Sequence, residues 1–147
     1  MDSRKVSASA HLLLAAVHVY WATGATWPAS DERSLSLTVL NMQVSFGPRV
    51  VLPLAALHLL LAGAVLTSAR WRLSRLVVVG LVAGLTARAA VGLVWITGAI
   101  DTSTAFYWLN LFLYTPVCVA LCLADLKLLR ARRPAAVDRP LLSDFLR

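Results

Sequence analysis

Six polar or aromatic side chains interrupt otherwise apolar stretches of this chain: His18, Trp21, His58, Arg88, Asn110 and Tyr114. Arg88 carries a permanent charge on a planar fork of N–H donors that matches a carboxylate or a phosphate. It stands near the middle of LVVVGLVAGLTARAAVGLVWITGAI, residues 76–100. No carboxylate belongs to that depth: Asp101 falls in the loop beyond the run, and Asp125 is read as an interfacial side chain near Lys127 with no role in the polar layer. A buried guanidinium without a counter-ion is a place for an anion to bind. Histidine as a residue type titrates near neutrality, which makes His18 and His58 candidates for a general acid or base. Two imidazoles at one level on neighbouring helices also raise haem ligation as a lesser alternative. A metal site is not expected, because no carboxylate or third histidine completes it at that level, His11 lying about two turns below His18. The Ser/His/Asp arrangement, the glycine-rich phosphate loop and paired carboxylates do not occur. The expected site is a polar layer in which Arg88, His18, His58, Tyr114, Asn110 and Trp21 surround a ligand, with no resident cofactor.

Membrane helices must position these side chains. About 20 apolar residues cross the roughly 30 Å hydrocarbon core, and four runs are that long, at about residues 6–24, 50–69, 76–100 and 105–126. The first follows Arg4 and Lys5 as a signal peptide would, but His18, Tyr20 and Trp21 stand where a cleavage region needs small residues, so it is read as a retained helix. His11, Ala15, His18 and Ala22 share one face of it. At 1.5 Å per residue, His18 and Arg88 lie roughly 18 Å from the cytoplasmic face and His58 and Tyr114 about 16 Å, which predicts a single layer. Asn110 is one turn above Tyr114, and Tyr107 extends the strip outward. Gly80, Gly84, Arg88 and Gly92 recur every fourth residue, a stripe suited to close helix packing or to a homo- or hetero-oligomer contact. Pro116 removes the donor to the Phe112 carbonyl and predicts a kink. Between the first two runs, Leu35, Leu37 and Val39, then Met42, Val44 and Phe46, alternate with a period of two, which predicts an extended surface cap, an interfacial helix being the alternative.

The fold class that follows is all-α, a four-helix transmembrane bundle in the cell membrane with a basic tail over residues 127–147. With 59% hydrophobic and 14% charged residues in 147, the chain has room for four spans and little else. The net charge of +7 does not point to nucleic acid, because the basic residues cluster at the ends of apolar runs, where they set orientation and meet anionic lipid. Arg4 and Lys5, then Arg70, Arg72 and Arg75, then Lys127, Arg130, Arg132, Arg133, Arg139 and Arg147 lie on one side; Arg33 and Arg49 lie on the other. That asymmetry places both termini in the cytoplasm and the longer loop between the first two helices outside. Cys118 and Cys122, four apart on one helix face, read as small buried hydrophobes, not as the C-x-x-C of a thiol oxidoreductase.

His18-Val19-Tyr20-Trp21-Ala22-Thr23-Gly24 with Trp27-Pro28, together with Asn110 and Tyr114-Thr115-Pro116-Val117-Cys118, resembles the DUF3995 family, small four-helix bacterial membrane proteins catalogued as a domain of unknown function. The resemblance covers nearly the whole chain and implies a bacterial inner-membrane location and a fold, but no chemistry. The residues themselves leave three functions: an accessory protein binding an anionic or polar amphiphile at Arg88, a small intramembrane enzyme using His18 or His58, and a structural subunit of a membrane complex. The charge asymmetry yields a first prediction. A cysteine placed at Ser30 should react with an impermeant label from outside intact cells, and one at Ser143 should not; the reverse result overturns the orientation.

Overall fold

The computed structural model describes residues 2–131; the basic tail from Arg132, with Ser143, lies outside the described residues. The described chain is helical, with no strand, in five continuous helices. They are α1 (Ser3–Ala22), α2 (Glu32–Leu40), α3 (Pro48–Thr67), α4 (Arg72–Val94), which runs into a π turn at Trp95–Ala99, and α5 (Ala105–Leu109), which continues through a π turn at Asn110–Tyr114 into α6 (Thr115–Arg130). Side chains of Asp2, Asp31 and Thr104 cap α1, α2 and α5 by accepting from orphan N–H groups of the first turn. The Asp31 carboxyl is held at about 2 by the Ser34 amide and the Ser34 and Ser30 hydroxyls. Gly98, at φ 102°, takes the left-handed conformation that closes the α4 helix.

Three of these helices are long and apolar enough to cross a membrane: Pro48–Thr67, Arg72–Ala99 and Ala105–Arg130. The first helix is equally long as α3 but carries Arg4, Lys5, His11, His18 and three serines, which lower its hydropathy. The segment after it corrects the expectation of extended chain, since Glu32 to Leu40 form a helix and the non-helical stretch that follows is confined to residues 41–47. The Asp31 cap and the left-handed Asn41 that ends α2 outweigh the alternation of the apolar residues. Leu35, fully buried with Phe46 and Val51, folds this cap onto Trp21.

Packing follows one order: α1 lies against α3 and α6, and α4 lies against α6 and α3. Polarity is inverted relative to a water-soluble domain. Leu60 and Leu73 are 72% exposed and Phe112 is 71%, whereas Ser7, Asn110 and Asp125 are 0%. Between α1 and α3 the buried positions are small, Ala8 and Ala15 against Ala55, Ala62 and Val65. Helices with an apolar exterior gain little from burying leucine, so they associate through close backbones and polar contacts. The glycines of α4 divide on this basis. Gly92 is covered: a methyl there would overlap the Thr115 hydroxyl and crowd Arg88 Nη1 at 3.0 Å and Asn110 Oδ1 at 3.2 Å. Gly80 and Gly84 have no neighbouring atom within 4 Å of such a methyl, so within this chain Gly92 takes part in the close helix contact and those two do not. Accordingly Gly92→Ala should cost about 1–3 kcal/mol and lower the melting temperature in detergent. Gly84→Ala should be neutral or stabilising by up to about 1 kcal/mol; equal effects at the two positions would contradict this division.

Candidate functional site

The polar side chains gather in two centres instead of one layer. On the α4 side, Arg88 Nη2 donates to Asn110 Oδ1 at 3.1 Å, and the guanidinium lies 5.2 Å from the centroid of the Trp95 ring, within cation–π range. Asn110 also accepts from the Thr115 hydroxyl at 3.1 Å and donates through Nδ2 to the Gly92 carbonyl at 2.9 Å. A carbonyl can only accept and a guanidinium can only donate, so the two partners fix which way the amide points. The π turn makes this possible: with backbone bonds from i to i+5, Thr115 comes under Asn110 on the same face. Pro116, which has no N–H, follows directly, and the local departure from α geometry predicted at this proline takes the form of that π turn. Arg88 Nη1 is buried and has no hydrogen-bond partner among the described residues.

The second centre lies between α1 and α3. His11 Nδ1 and His58 Nδ1 are 3.1 Å apart, and their rings stack at 5.3 Å. His18 lies on the other side of His58, with ring centroids 5.2 Å apart, and its Nδ1 donates to the Leu14 carbonyl at 2.7 Å. His18 in turn meets Trp21 edge-on, and Trp21 meets Phe46 in the same way. Trp21 Nε1 donates to the Trp27 carbonyl at 3.0 Å, which ties the outer end of α1 to the loop. A cavity of about 80 Å³ lies beside Trp21, walled by Glu32, Leu35 and Phe46.

Of the six residues named from sequence, the structure brings Arg88 to Asn110 and brings His18 to His58 and Trp21. It does not join Arg88 to a histidine by any hydrogen bond. Tyr114 donates to the Thr38 carbonyl at 3.3 Å and so clamps α2, while Tyr107 reaches the Ile96 carbonyl at 3.4 Å. Cys118 and Cys122 are free and half-buried, the latter 3.3 Å from the Thr86 hydroxyl. Two further residues depart from expectation. His11, placed two turns below the layer, is 2% exposed and is the bonded partner of His58. Asp125 is not interfacial but fully buried, with neither oxygen hydrogen-bonded. The reason is that α6 continues to Arg130, which carries Asp125 inside the helix contacts, close to Ser7 of α1. The Asp125 carboxyl lies close to the Ser7 hydroxyl without a hydrogen bond of ordinary geometry between them. The run of polar residues Arg4, Ser7 and His11 at i, i+3 and i+7 on α1 was the signal that could have found this face.

Asn110 is the centre's hub, and interhelical hydrogen bonds in membranes average about 0.6 kcal/mol each, with larger penalties when a charged donor is stranded. Asn110→Ala should therefore cost about 2–4 kcal/mol in thermal unfolding in detergent. Asn110→Asp, which keeps both accepting roles, should recover most of that loss; no difference between the two variants would remove Asn110 from the hub.

Comparison with curated proteins and with solved structures finds no match for the chain. A family model described as a protein of unknown function, DUF3995, matches residues 11–124, which takes in His11, His18, His58, Arg88 and Asn110 and so both centres. The match covers most of the chain, and this protein belongs to the DUF3995 family.

Proposed function

We propose that this is a multi-pass protein of the cell membrane, a bundle of four membrane helices with both ends in the cytoplasm, which binds the charged end of a small anionic amphiphile at Arg88. The lipid-facing character of the exterior supports the location, as do Trp27 and Trp71, exposed at the outer loop and at the start of α4, where aromatic belts lie. The same argument extends to α1. Its polar side chains Ser7 and His11 are buried toward its neighbours while Leu12, Leu13 and Val19 face outward, so a modest hydropathy is compatible with spanning.

One observation carries the ligand: among the described residues Arg88 Nη1 is buried with nothing to donate to, and the one hydrogen-bond partner of the guanidinium is a neutral amide. Asn110 and Trp95 solvate the charge without neutralising it. A carboxylate or phosphate would complete both, and the fork of Arg88 would bind it with two parallel N–H donors. A small intramembrane enzyme is the second reading, favoured by the His11–His58 contact, which gives His58 a neighbour able to supply or take a proton.

Native mass spectrometry of the detergent-purified protein tests the first reading. The wild type should carry an acidic lipid or metabolite. Arg88→Leu should lose it while keeping or raising its melting temperature, since an apolar residue of similar size relieves the buried charge. Arg88→Lys should retain only part, because lysine lacks the planar fork. A wild type that carries nothing, or an Arg88→Leu variant that carries the same species, overturns the reading.

A further inference from the structure

Apart from Arg88 Nη1, the polar atoms buried without hydrogen bonds among the described residues, Arg4 Nε, Ser7 Oγ, His11 Nε2 and both oxygens of Asp125, belong to α1 and to α6, which lie in contact. From His11, in contact with His58, α1 runs on to His18, then to Trp21 and the 80 Å³ cavity walled by Glu32. From Ser7 to Trp21 this column rises roughly 21 Å at helical pitch, about two thirds of a ~30 Å hydrocarbon core. The titratable and charged groups facing it are Arg4, His11 and His18 from α1, Glu32 from α2, His58 from α3 and Asp125 from α6. From α4, Arg75 approaches this end, but its guanidinium is engaged by the Leu129 carbonyl.

We propose that Asp125, Ser7, His11, His58 and His18 form a proton-transfer path along the inner face of α1, joining the cytoplasmic ends of the helices to the cavity beside Trp21. The proposal rests on the membrane orientation argued above but not on a ligand at Arg88. A protonated Asp125 gives its O–H proton to the Ser7 oxygen as Ser7 passes its own hydroxyl proton to His11 Nε2, each through one water, since these buried atoms are not hydrogen-bonded to one another. His11 then holds a proton on each nitrogen. It releases the one on Nδ1 to the lone pair of His58 Nδ1 at 3.1 Å, and returns to a neutral ring with its tautomer exchanged. His58, now protonated on both nitrogens, gives up the Nε2 proton. The acceptor is His18 Nε2, reached through one water because the rings lie 5.2 Å apart between centroids; the Leu14 carbonyl, an acceptor only, keeps the proton of His18 on Nδ1. His18 then gives the same proton from Nε2 to water leading past Trp21 to the cavity, whose mainly apolar walls include Glu32 and Thr26 and which has space for more than one water. One proton enters and one leaves; reversal of the two tautomers resets the path, and no oxidant or reductant takes part.

The full-length protein, reconstituted into phosphatidylcholine vesicles containing a pH-sensitive dye, tests this under a potassium-diffusion potential set with valinomycin. Proton flux should exceed that of protein-free vesicles. His58→Gln and Asp125→Asn should each cut the flux on the order of tenfold or more, while Leu13→Ala, on the outward face of α1, should leave it unchanged. Asp125→Glu, which retains a carboxyl, should keep part of it. Flux no greater than in empty vesicles, or full flux in folded His58→Gln and Asp125→Asn variants, overturns the path. Should either variant fail to fold, nitrogen-15 spectra of the unmutated protein decide: a hydrogen-bond coupling between His11 Nδ1 and His58 Nδ1 supports the central step, and its absence removes it. Labelling a cysteine at Ser30 in the same vesicles separates the cases, because a one-sided label with no flux ends the path and leaves the orientation standing.

Discussion

Within a hydrocarbon solvent no water waits to replace a broken hydrogen bond, and in this protein that constraint converges on the amide of Asn110. Three groups that would otherwise be stranded end on it: the Arg88 guanidinium, the Gly92 carbonyl and the Thr115 hydroxyl. The arrangement requires a glycine at 92 so that the last helix can approach, and a π turn so that positions 110 and 115 share a face. Pro116 imposes the backbone departure, Asn110 uses it, and Arg88 is held as a result. Local chain chemistry, helix packing and the electrostatics of a buried cation are here consequences of one another.

Much of this was legible in the residues. Apolar runs of spanning length announce membrane helices without reference to any fold, and α3, α4 with its π turn, and α5–α6 satisfy that criterion. The motif around Tyr20-Trp21 and the Tyr114-Thr115-Pro116 segment carried the family, whose model matches residues 11–124. Arg88 and Asn110 stood out because they interrupt such runs, and they are neighbours. What linear depth could not supply was lateral position. Arg88 and His58 were assigned nearly the same height, yet height does not say which helices adjoin: His58 faces α1, and Arg88 faces the last helix. Asp125 was misplaced because the apolar run near residue 126 was taken as the helix end, whereas α6 continues for another turn with Lys127 and Arg130 at its rim. The cap helix was misread because Leu35, Leu37 and Val39 alternate, and an N-cap aspartate followed three residues later by Ser34 is a stronger local determinant than three alternating apolar residues.

The two polar centres differ in the kind of chemistry they keep. Around Arg88 the groups are a permanent cation, an amide and a hydroxyl, which hold charge without exchanging protons at ordinary pH. His58 meets two other imidazoles, His11 and His18, so that centre is built of groups that change protonation. Each is assembled by a different helix pair, α4 with the last helix and α1 with α3, and the remaining contacts, α1 with α6 and α3 with α4, join the pairs side by side.

The uneven hydropathy of α1 bears on how the molecule is assembled. This helix is made before α3 and α6, yet the side chains that depress its apolar character, Ser7 and His11, are sheltered by those later helices. Alone in lipid it would present serines and imidazoles to acyl chains; beside α3 it presents mainly leucine and valine. With 25 residues of loop and α2 between them, α1 and α3 can enter as an antiparallel hairpin. If α1 spans the membrane beside α3, as proposed above, its stable integration waits for that partner, and the α1–α3 hairpin, not the single helix, becomes the unit that the membrane accepts.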